Sequence, residues 1–438
     1  MKVTLVNLDK SNMNPPLGLV SLATVLEKEN YDIKIVDAGK NEKIDYASCD
    51  VLGVSFTTVN ATEAFRIAKE AKQRNIITVA GGPHPTVMPE ECQSLFDYVV
   101  CGESEWVFPQ LLRDIENGKK RENKVQGVHG DLHSLSTLNF DHVPNLTSYL
   151  KHRAEGLYCK KALSWMVTRG CYGSCAYCQP TLRLLFGKGM RMLSSDRIEY
   201  DLNLYKSKFG VEGIAFQDDT LTWTPLPWFR KFCGIMKKLD LVWSANCRID
   251  TVNKEKLELM QESNCKLVNF GIESGSEYVR REILKKGNFS NEQITKTFKL
   301  CDELGLMPTG YFMLFVPNET KQTLQDTVNF IRTLSPYRIQ ISIFTPFPGT
   351  CAYEQVKDRI RVKDYSQWDY FQRCIYDPSP EFTAEEATRL YHEIKEQITL
   401  DVKFNMSYFL KRLRHVHSVK EFTHVFKTGL TLAKKKLH

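Results

Sequence analysis

A single loop of this 438-residue chain carries three cysteines with the spacing C-x3-C-x2-C, namely Cys171, Cys175 and Cys178. Thiolates this close together can each bind a different iron of a cubane cluster, because such clusters are held by cysteine sulfur. Three local ligands leave the fourth iron open, and an open iron can bind a substrate or cofactor. The motif therefore predicts a [4Fe–4S] cluster on a loop that the rest of the fold supports.

Other interpretations of these cysteines stay open at this point. A structural zinc site needs a fourth Cys or His ligand, for which Cys159 and Cys233 are the nearest candidates in sequence. A redox-active C-x-x-C pair formed by Cys175 and Cys178 is a further alternative. A disulfide framework does not fit, because a third cysteine would be left over and nothing marks the chain as secreted.

Composition indicates an ordinary globular protein of two or three domains. The thirteen cysteines favour a reducing compartment, and we expect a cytoplasmic location. The sequence contains no apolar run of about 18 residues that could span a membrane, and its first residues lack the apolar core of a signal peptide. The net charge of +7 is modest, and a solvated surface explains it. We find no nucleic-acid-binding motif and expect no such partner.

The cysteine spacing, with the aromatic Tyr177 just before the last cysteine, resembles the radical S-adenosylmethionine (SAM) enzymes. In that family the open iron binds the amino and carboxylate groups of SAM, and reduction of the cluster cleaves SAM to a 5′-deoxyadenosyl radical. The resemblance implies that Cys171, Cys175 and Cys178 bind the cluster. It also implies an external electron donor such as flavodoxin or ferredoxin.

Residues 1–117 alternate short β-rich runs with helical patterns. The strand candidates are 2–7, 32–37, 51–56, 76–80 and 98–101, each continuous enough in Val, Ile and Leu to be buried on both faces. A helix is predicted over 61–74, with Asn60 and Glu63 as a capping pair. Repeated strand–helix units imply a doubly wound, Rossmann-like parallel sheet, which binds ligands beyond the carboxyl ends of its strands.

Small and polar residues gather at those strand ends, in the segments 15–19 (PPLGL), 79–84 (VAGGPH) and 100–105 (VCGESE). In this order, ahead of the cysteine loop, they resemble the amino-terminal cobalamin-binding domain of a radical SAM subgroup. No Asp-x-His-x-x-Gly loop follows the first strand, so we expect cobalt without a histidine ligand on its lower face. The alternative is a scaffold that has lost its cofactor. The residues that the resemblance assigns to cobalamin are Asn14, Pro16, Leu17, Ser55, Thr57, Gly81, Gly82, Pro83, His84, Gly102 and Glu103.

A second series of strands and helices begins near residue 162. The strand candidates are 163–168, 213–216, 241–245, 266–270, 308–314 and 339–344, and six such units fit a partial (β/α)6 TIM-type barrel. Polar residues collect at the carboxyl ends of these strands, where barrels of this kind place their catalytic groups. The residues that we expect to bind SAM are Tyr177, Gln217, Asp218, Arg248, Glu273 and Ser274.

The chemical groups of SAM suggest which of these side chains binds which part of the molecule. Asp218 can take its ammonium, Arg248 can pair with its carboxylate, and Glu273 or Ser274 can bind the ribose hydroxyls. Two departures from the family's pattern stand out. The segment 217–219 (QDD) replaces the Gly-Gly-Glu of many radical SAM proteins, and residues 315 and 318, Phe and Asn, stand where glycines are usual.

We therefore expect a cobalamin-binding domain over 1–130, a linker over 131–160, a radical SAM barrel over 161–350 and a helical region over 351–438. Thr383 and Glu386 form a capping box ahead of a helix. The segments 411–417 and 434–436 are basic, so the helices can contact a membrane surface peripherally. The commoner alternative is a helical cap over the barrel with a solvated edge.

The resemblance implies a cobalamin-dependent radical SAM methyltransferase. One SAM would supply the radical that removes hydrogen from an unactivated carbon, and methylcobalamin, recharged by a second SAM, would donate the methyl group. Two alternatives stay open: a radical SAM cyclase or oxidoreductase without methyl transfer, and a non-catalytic sensor that uses the cluster or cobalamin. A small molecule, a lipid or a peptide is admissible as the substrate.

Overall fold

The structure is a computed structural model that describes residues 1–11, 13–334 and 336–403, with only the backbone described for 152–156, 402 and 403. The basic segments 411–417 and 434–436 lie outside the described residues. Across the described part of the chain, no helix combines the length and the apolar character needed to cross a bilayer.

The amino-terminal part contains a six-stranded, fully parallel sheet in the order β2-β1-β3-β4-β5-β6. In four of the strands, side chains that point to opposite faces fall into two different hydrophobic clusters, as with Leu5 and Val6 of the first strand. Both faces of the sheet are therefore buried, which is why the strands read as continuous apolar runs. The strands are β1 (Lys2–Asn7), β2 (Asp32–Asp37), β3 (Val51–Ser55), β4 (Ile77–Gly81), β5 (Tyr98–Cys101) and β6 (Lys124–Gln126).

Helices cover both faces of this sheet, as the doubly wound prediction requires. They are α1 (Leu17–Lys28), α2 (Ala61–Lys72), α3 (Pro83–Val87), α4 (Pro89–Gln93) and α5 (Phe108–Glu116). The predicted capping pair of α2 is wrong, because Asn60 makes no side-chain capping bond and Glu63 instead pairs with Arg66. The strand β6 was not predicted from the sequence, since Val125 is the one buried side chain of its three.

The second part is a partial barrel of six parallel strands in the order β14-β13-β12-β11-β10-β7, which confirms the predicted fold class. Its first predicted strand was too long, because that strand stops at Trp165 and residues 168–169 form a separate ribbon with β9. The strands are β7 (Ala162–Trp165), β8 (Thr168–Arg169), β9 (Arg191–Met192), β10 (Gly213–Phe216), β11 (Val242–Cys247), β12 (Cys265–Glu273), β13 (Met307–Leu314) and β14 (Arg338–Ile343).

The inner face of the barrel changes character along the strands. A small apolar cluster that includes Ala162, Leu267 and Met307 closes the end where the strands begin. The next row towards the carboxyl ends is polar, and strand pairing places these residues side by side: Asn246, Asn269, Thr309 and Arg338. The barrel interior is therefore plugged at one end and polar towards the other.

Helices surround the barrel and extend to the end of the described chain. They are α6 (Leu146–Leu157), α7 (Thr181–Phe186), α8 (Ser195–Phe209), α9 (Leu226–Lys238), α10 (Lys254–Glu262), α11 (Asn291–Glu303), α12 (Lys321–Thr333), α13 (Cys351–Val356) and α14 (Ala384–Lys403). Short 3₁₀ turns and isolated bridges occupy much of 357–383. The predicted capping box is present, since Glu386 N donates to Thr383 Oγ1 and Thr383 N to the Glu386 carboxylate.

Candidate active site

A cavity of about 350 Å³ lies at the carboxyl end of the first sheet, on the side that faces the barrel. Leu5 of β1 and Gly53 of β3 line it, and in this strand order the direction of winding changes between those two strands. Doubly wound sheets bind their ligands at such a switch point. Most of the wall is apolar, with serine hydroxyls at intervals. The cavity suits a flat heteroaromatic group with polar edges.

Gly82 shows that the cavity wall needs a residue without a side chain. Its φ is +94°, a conformation that residues with a Cβ rarely adopt. A Cβ at this position would lie 2.8 Å from Ser55 Oγ, a clash with a neighbouring wall residue. The turn after β4 thus leaves room for a ligand to approach the backbone.

Seven of the residues predicted to bind cobalamin line this cavity: Leu17, Ser55, Gly81, Gly82, Pro83, Gly102 and Glu103. Asn14, Pro16, Thr57 and His84 do not. Asn14 instead reaches the barrel, where its Oδ1 accepts a hydrogen bond from Ser164 Oγ at 2.7 Å.

His84 requires a correction. Its ring is fully buried, and its Nδ1 lies 3.1 Å from Thr58 Oγ1. The rings of Phe56, Phe65 and Tyr365 surround it on the side of the sheet away from the cavity wall. The residue therefore packs the amino-terminal domain.

The cysteine loop leaves the barrel directly after β8. Gly170, which precedes Cys171, has a φ of +93°, and a Cβ there would lie 2.4 Å from the carbonyl oxygen of Gly189. Only glycine fits this turn. Cys171 Sγ accepts from the amide of Gly173 at 3.4 Å. Burial, together with the neighbouring Cys175, raises the pKa of the Cys178 thiol.

The described residues offer no alternative metal centre at the loop. No three His, Cys, Asp or Glu side chains in that part of the chain converge on a point where they could hold one metal ion. Cys159 lies where the barrel strands begin, beside Gly213, and Cys233 is buried in the core with α9. Neither could complete a zinc site with the loop. Thiolates of a cubane bind separate irons and need not converge in this way.

Asp218 is fully buried and bonded to the turn after β7, and its predicted role at the SAM ammonium stays a prediction. Its Oδ1 accepts hydrogen bonds from the backbone N and the Oγ1 of Thr168, both at 2.6 Å, and from Val167 N at 3.1 Å. Burial raises its pKa to about 7. The carboxyl group therefore holds the turn between β7 and the cysteine loop, chiefly through Oδ1, whereas Oδ2 accepts only a long bond of 3.4 Å from Val167 N among the described groups.

The next residue, Asp219, was not singled out by sequence. Burial raises its pKa to about 6, and its charge acts on the Cys178 thiol. Its Oδ2 is buried without a hydrogen-bond partner among the described groups. Gln217, by contrast, donates to Ala215 O at 3.2 Å inside the barrel. Of the three residues in this segment, Asp219 has an acceptor available beside the cysteines.

Arg248 lies beside the cysteine loop, and its predicted pairing with the SAM carboxylate stays a prediction. Its Nη1 donates to Cys175 Sγ at 3.2 Å, and its Nε and Nη2 donate to the Asp250 carboxylate at 2.9 and 2.7 Å. Nη2 also donates to the carbonyl oxygen of Lys286, and the guanidinium stacks over the Trp223 ring. Most of its donors are thus engaged by the protein, and Nη1 orients the sulfur of Cys175.

Glu273, Tyr177 and Lys286 form one buried network beside the cysteines. Lys286 Nζ donates to Glu273 Oε1 at 2.8 Å and to the Tyr177 hydroxyl at 2.9 Å, and that hydroxyl donates to Glu273 at 3.0 Å. Burial acts to lower the pKa of Lys286, but the Glu273 carboxylate and the nearby Cys175 together outweigh it and the pKa is raised. Lys286 was missed because it carries no local motif.

Ser274 faces away from this network. Its Oγ lies 2.8 Å from Thr327 Oγ1 and accepts from Ser276 N at 3.1 Å, in a fully buried position. Ser274 thus fixes the turn after β12, and its predicted role at the ribose stays a prediction.

Comparison with known proteins defines the class to which this fold and site belong. A model of the B12 binding domain matches residues 5–112, and a model of the radical SAM superfamily matches residues 165–331. The chain is 31% identical over 371 residues to an uncharacterized methyltransferase of Pyrococcus horikoshii, with 78% of each protein covered. It is 27% identical to the bacteriochlorophyllide d C-12(1)-methyltransferase of Chlorobaculum tepidum, covering 86% of this chain and 80% of the relative.

The fold is also that of a solved structure, the cobalamin-dependent S-adenosylmethionine radical enzyme OxsB. The TM-score is 0.72 at 17% identity, over 98% of this chain and 70% of that one. A cobalamin-binding sheet ahead of a radical SAM barrel is thus the class that fold and site define. The chain belongs to the family of cobalamin-binding radical SAM enzymes, and its relatives include methyltransferases. It is a radical SAM enzyme, as predicted.

The cofactors of this family are a [4Fe–4S] cluster, SAM and cobalamin, and the prediction of these cofactors is confirmed. The residues present fit them. A Cβ at Gly82 would fill the space in the cavity wall beside Ser55, so the glycine leaves that space open for a ligand. The three cysteines share one loop, and none of the described cysteines forms a disulfide. Enzymes of this family act on small-molecule substrates and take electrons from a reductant.

Proposed function

We propose that this enzyme transfers a methyl group from SAM to an unactivated carbon of its substrate. One observation carries the proposal: the loop with Cys171, Cys175 and Cys178 opens beside a cavity of the amino-terminal domain, and Arg169 lines that cavity two residues before the first cysteine. A radical source and a methyl carrier would then lie on either side of one substrate.

We assign the cluster to Cys171, Cys175 and Cys178. Asp219, rather than Asp218, is our candidate for the SAM ammonium, because its Oδ2 is buried without a partner among the described groups. Glu273 remains our candidate for the ribose, held in place by Lys286 and Tyr177.

When bound, the cluster and SAM supply the radical, and cobalamin supplies the methyl group. The chain's own residues orient the groups that would hold the cofactors and enclose the site. Arg248 orients the Cys175 sulfur through Nη1, and its Nε and Nη2 are held by the Asp250 carboxylate and the carbonyl oxygen of Lys286. Glu273 and Lys286 form a buried ion pair inside the barrel, with Nζ 2.8 Å from Oε1, which fixes the position of the carboxylate. These fixed groups reduce the reorganisation that the reaction requires.

The substrate is best accommodated by the polar row inside the barrel. Asn246 Nδ2 donates to Asp218 O at 3.3 Å, and Asn269 Nδ2 lies 3.5 Å from Asn246 Oδ1. The amide oxygen of Asn269 is thus available for a substrate that offers hydrogen-bond donors. A small molecule or peptide fits this better than a hydrocarbon lipid.

Our further expectations are a cytoplasmic location and a flavodoxin or ferredoxin as electron donor. We also keep the division of the chain at residues 130, 160 and 350 as a proposal. Peripheral membrane contact would involve the basic segments beyond the described residues, and it stays a hypothesis from sequence.

Anaerobic reconstitution with iron and sulfide tests the proposal. With dithionite and methyl-labelled SAM, the wild-type protein should form 5′-deoxyadenosine and should pass the label to bound cobalamin. Changing Cys171, Cys175 or Cys178 to Ala should remove the cluster absorbance and stop nucleoside formation. The exposed Cys351 is a matched control, and Cys351→Ala should behave as wild type.

Two outcomes would count against the assignment. Nucleoside formation without label on cobalamin would favour a radical SAM cyclase or oxidoreductase. A protein that binds cluster and cobalamin but forms no nucleoside with any substrate mixture would favour a sensor.

A further inference from the structure

Arg169 joins the wall of the cobalamin cavity to the cysteine loop. Its Nη1 donates to Glu103 Oε1 at 2.6 Å and its Nη2 to Glu105 Oε1 at 2.7 Å. Both glutamates follow β5 of the first sheet, whereas Arg169 ends β8 of the barrel part, two residues before Cys171. We call Arg169, Glu103 and Glu105 the Arg169 clamp. All three of its residues line the cavity.

Two further side chains hold the Arg169 clamp in place. Arg191, on the strand β9 that pairs with β8, donates from Nη2 to Glu103 Oε2 at 2.6 Å. Ser21 of α1 donates to Glu105 Oε1 at 2.8 Å. The clamp therefore fixes the cysteine loop against two elements of the amino-terminal domain, the turn after β5 and the helix α1.

The charges explain why this network can be buried. Arg169 and Arg191 balance Glu103 and Glu105, so the group is neutral as a whole. Burial would raise the pKa of Glu105, but Arg169 keeps it lowered, and the carboxylate stays ionised. A guanidinium fork can bind two carboxylates at fixed angles, which an ammonium cannot do. The geometry is therefore specific to arginine.

We propose that Arg169 is a positioning residue that sets the separation between the cobalamin cavity and the cluster loop. Its two terminal nitrogens donate to Glu103 and Glu105, and through them it acts on the cavity wall. A reaction that uses two cofactors on one carbon depends on their spacing, and a displacement of about 1 Å can reduce turnover about 100-fold. Glu103, predicted from sequence to bind cobalamin, acts here through Arg169 and Arg191. This inference rests on the proposed cluster site at Cys171, Cys175 and Cys178.

The first test needs no cofactor. In the full chain without cofactors, hydrogen exchange of the backbone amides in 168–178 should be about tenfold faster in Arg169→Gln than in wild type. Arg169→Lys and Glu105→Asp should give intermediate acceleration, since each retains part of the contact. Arg361→Gln is the matched control, because it removes one arginine from an exposed ion pair with Asp377.

The second test measures the separation in the loaded protein. With cob(II)alamin and the reduced cluster both present, electron paramagnetic resonance reports the magnetic coupling between their unpaired spins. Arg169→Gln and Arg169→Lys should weaken or broaden this coupling at unchanged iron content, and Arg361→Gln should not.

The outcomes separate this proposal from the proposed function. Unchanged exchange in Arg169→Lys and Glu105→Asp, or an unchanged spin coupling in Arg169→Lys, would overturn the positioning role. If Arg169→Gln does not fold, those two milder variants carry the comparison. A wild-type protein that binds no cluster would refute the cluster site, whereas the exchange experiment would still decide whether the clamp holds the loop.

Discussion

The two parallel sheets of this enzyme have the same number of strands but use their faces differently. The first sheet buries both faces, so its ligand cavity lies at the carboxyl end, where the winding direction changes. The second sheet curves into a partial barrel, buries its outer face under helices, and carries a polar row that includes Asn246 and Asn269 on its inner face. In the first sheet, the strands form the hydrophobic core and the turns that follow them line the ligand cavity. In the second sheet, side chains of the strands themselves can bind a ligand.

The largest expected effect tests this difference in the first sheet. Leu52 of β3 is fully buried, so Leu52→Ala should destabilise the protein by about 2–5 kcal/mol through lost burial and a residual cavity. Thermal unfolding of the amino-terminal part, followed by near-ultraviolet circular dichroism, measures it. The exposed Leu184→Ala is the control and should cost far less. A small loss at Leu52 would mean that this face is loosely packed.

Gly82→Ala should have the next largest effect. The substitution places a Cβ 2.8 Å from Ser55 Oγ and forces a φ of +94° on alanine, a strain of about 1–3 kcal/mol. It should also weaken cobalamin binding while the iron content stays constant, as equilibrium titration followed by absorbance would show. Gly118→Ala is the control, since Gly118 also has a positive φ but has open space around it. Equal cobalamin affinity in both variants would argue that Gly82 does not face the cofactor.

The sequence predicted the fold of the first sheet more closely than its site. The strands from Lys2, Asp32 and Tyr98 were predicted with the bounds that the structure has, because burial on both faces leaves a continuous apolar signal. β6 was missed, since it pairs through its backbone and buries only Val125. Because β6 has so little apolar sequence of its own, its position at the edge of the sheet is set by its backbone pairing with β5.

The site residues divide according to the range of their contacts. The cysteines were found by their local spacing. Lys286 and Arg169 were not, because their partners lie far away in sequence: Tyr177 is 109 residues from Lys286, and Glu103 is 66 residues from Arg169. Asp218 and Asp219 are adjacent and chemically identical, so nothing in the sequence tells which of them holds the backbone and which faces the cysteines.

Two buried glutamates, one beside each sheet, should differ in how they make stability depend on pH. Glu105, in the clamp, has a partner cation. Glu319, after β13, accepts among the described residues only from the amides of Phe315 and Val316, and burial raises its pKa to about 8. A raised pKa means that the folded state holds the proton more tightly than the unfolded state. The contribution of Glu319 to stability should therefore be present below about pH 4.5 and be lost as the pH rises to about 8.

Glu319→Gln should remove this dependence. The difference in unfolding temperature between pH 5.5 and pH 8.5 should shrink relative to wild type, because glutamine does not titrate. The exposed Glu354→Gln is the control and should leave the difference unchanged. If Glu319→Gln also shows the pH profile of wild type, the pKa of Glu319 is not raised, and a cation that is not bonded to the carboxylate must keep it ionised.

The smallest effect on stability is expected on the inner face of the barrel. Asn269 is half-buried, and its Nδ2 makes a long contact of 3.5 Å with Asn246 Oδ1, so Asn269→Ala should change stability by only about 0.5 kcal/mol. If the inner face binds substrate, the same change should lower product formation at constant iron and cobalamin content, since a hydrogen-bond acceptor is lost. Asn203→Ala, on the exposed face of α8, is the control for amide removal. A destabilisation as large as that of Leu52→Ala would show that the inner face of the barrel is packed as tightly as the first sheet. The proposed difference between the two sheets would then be wrong.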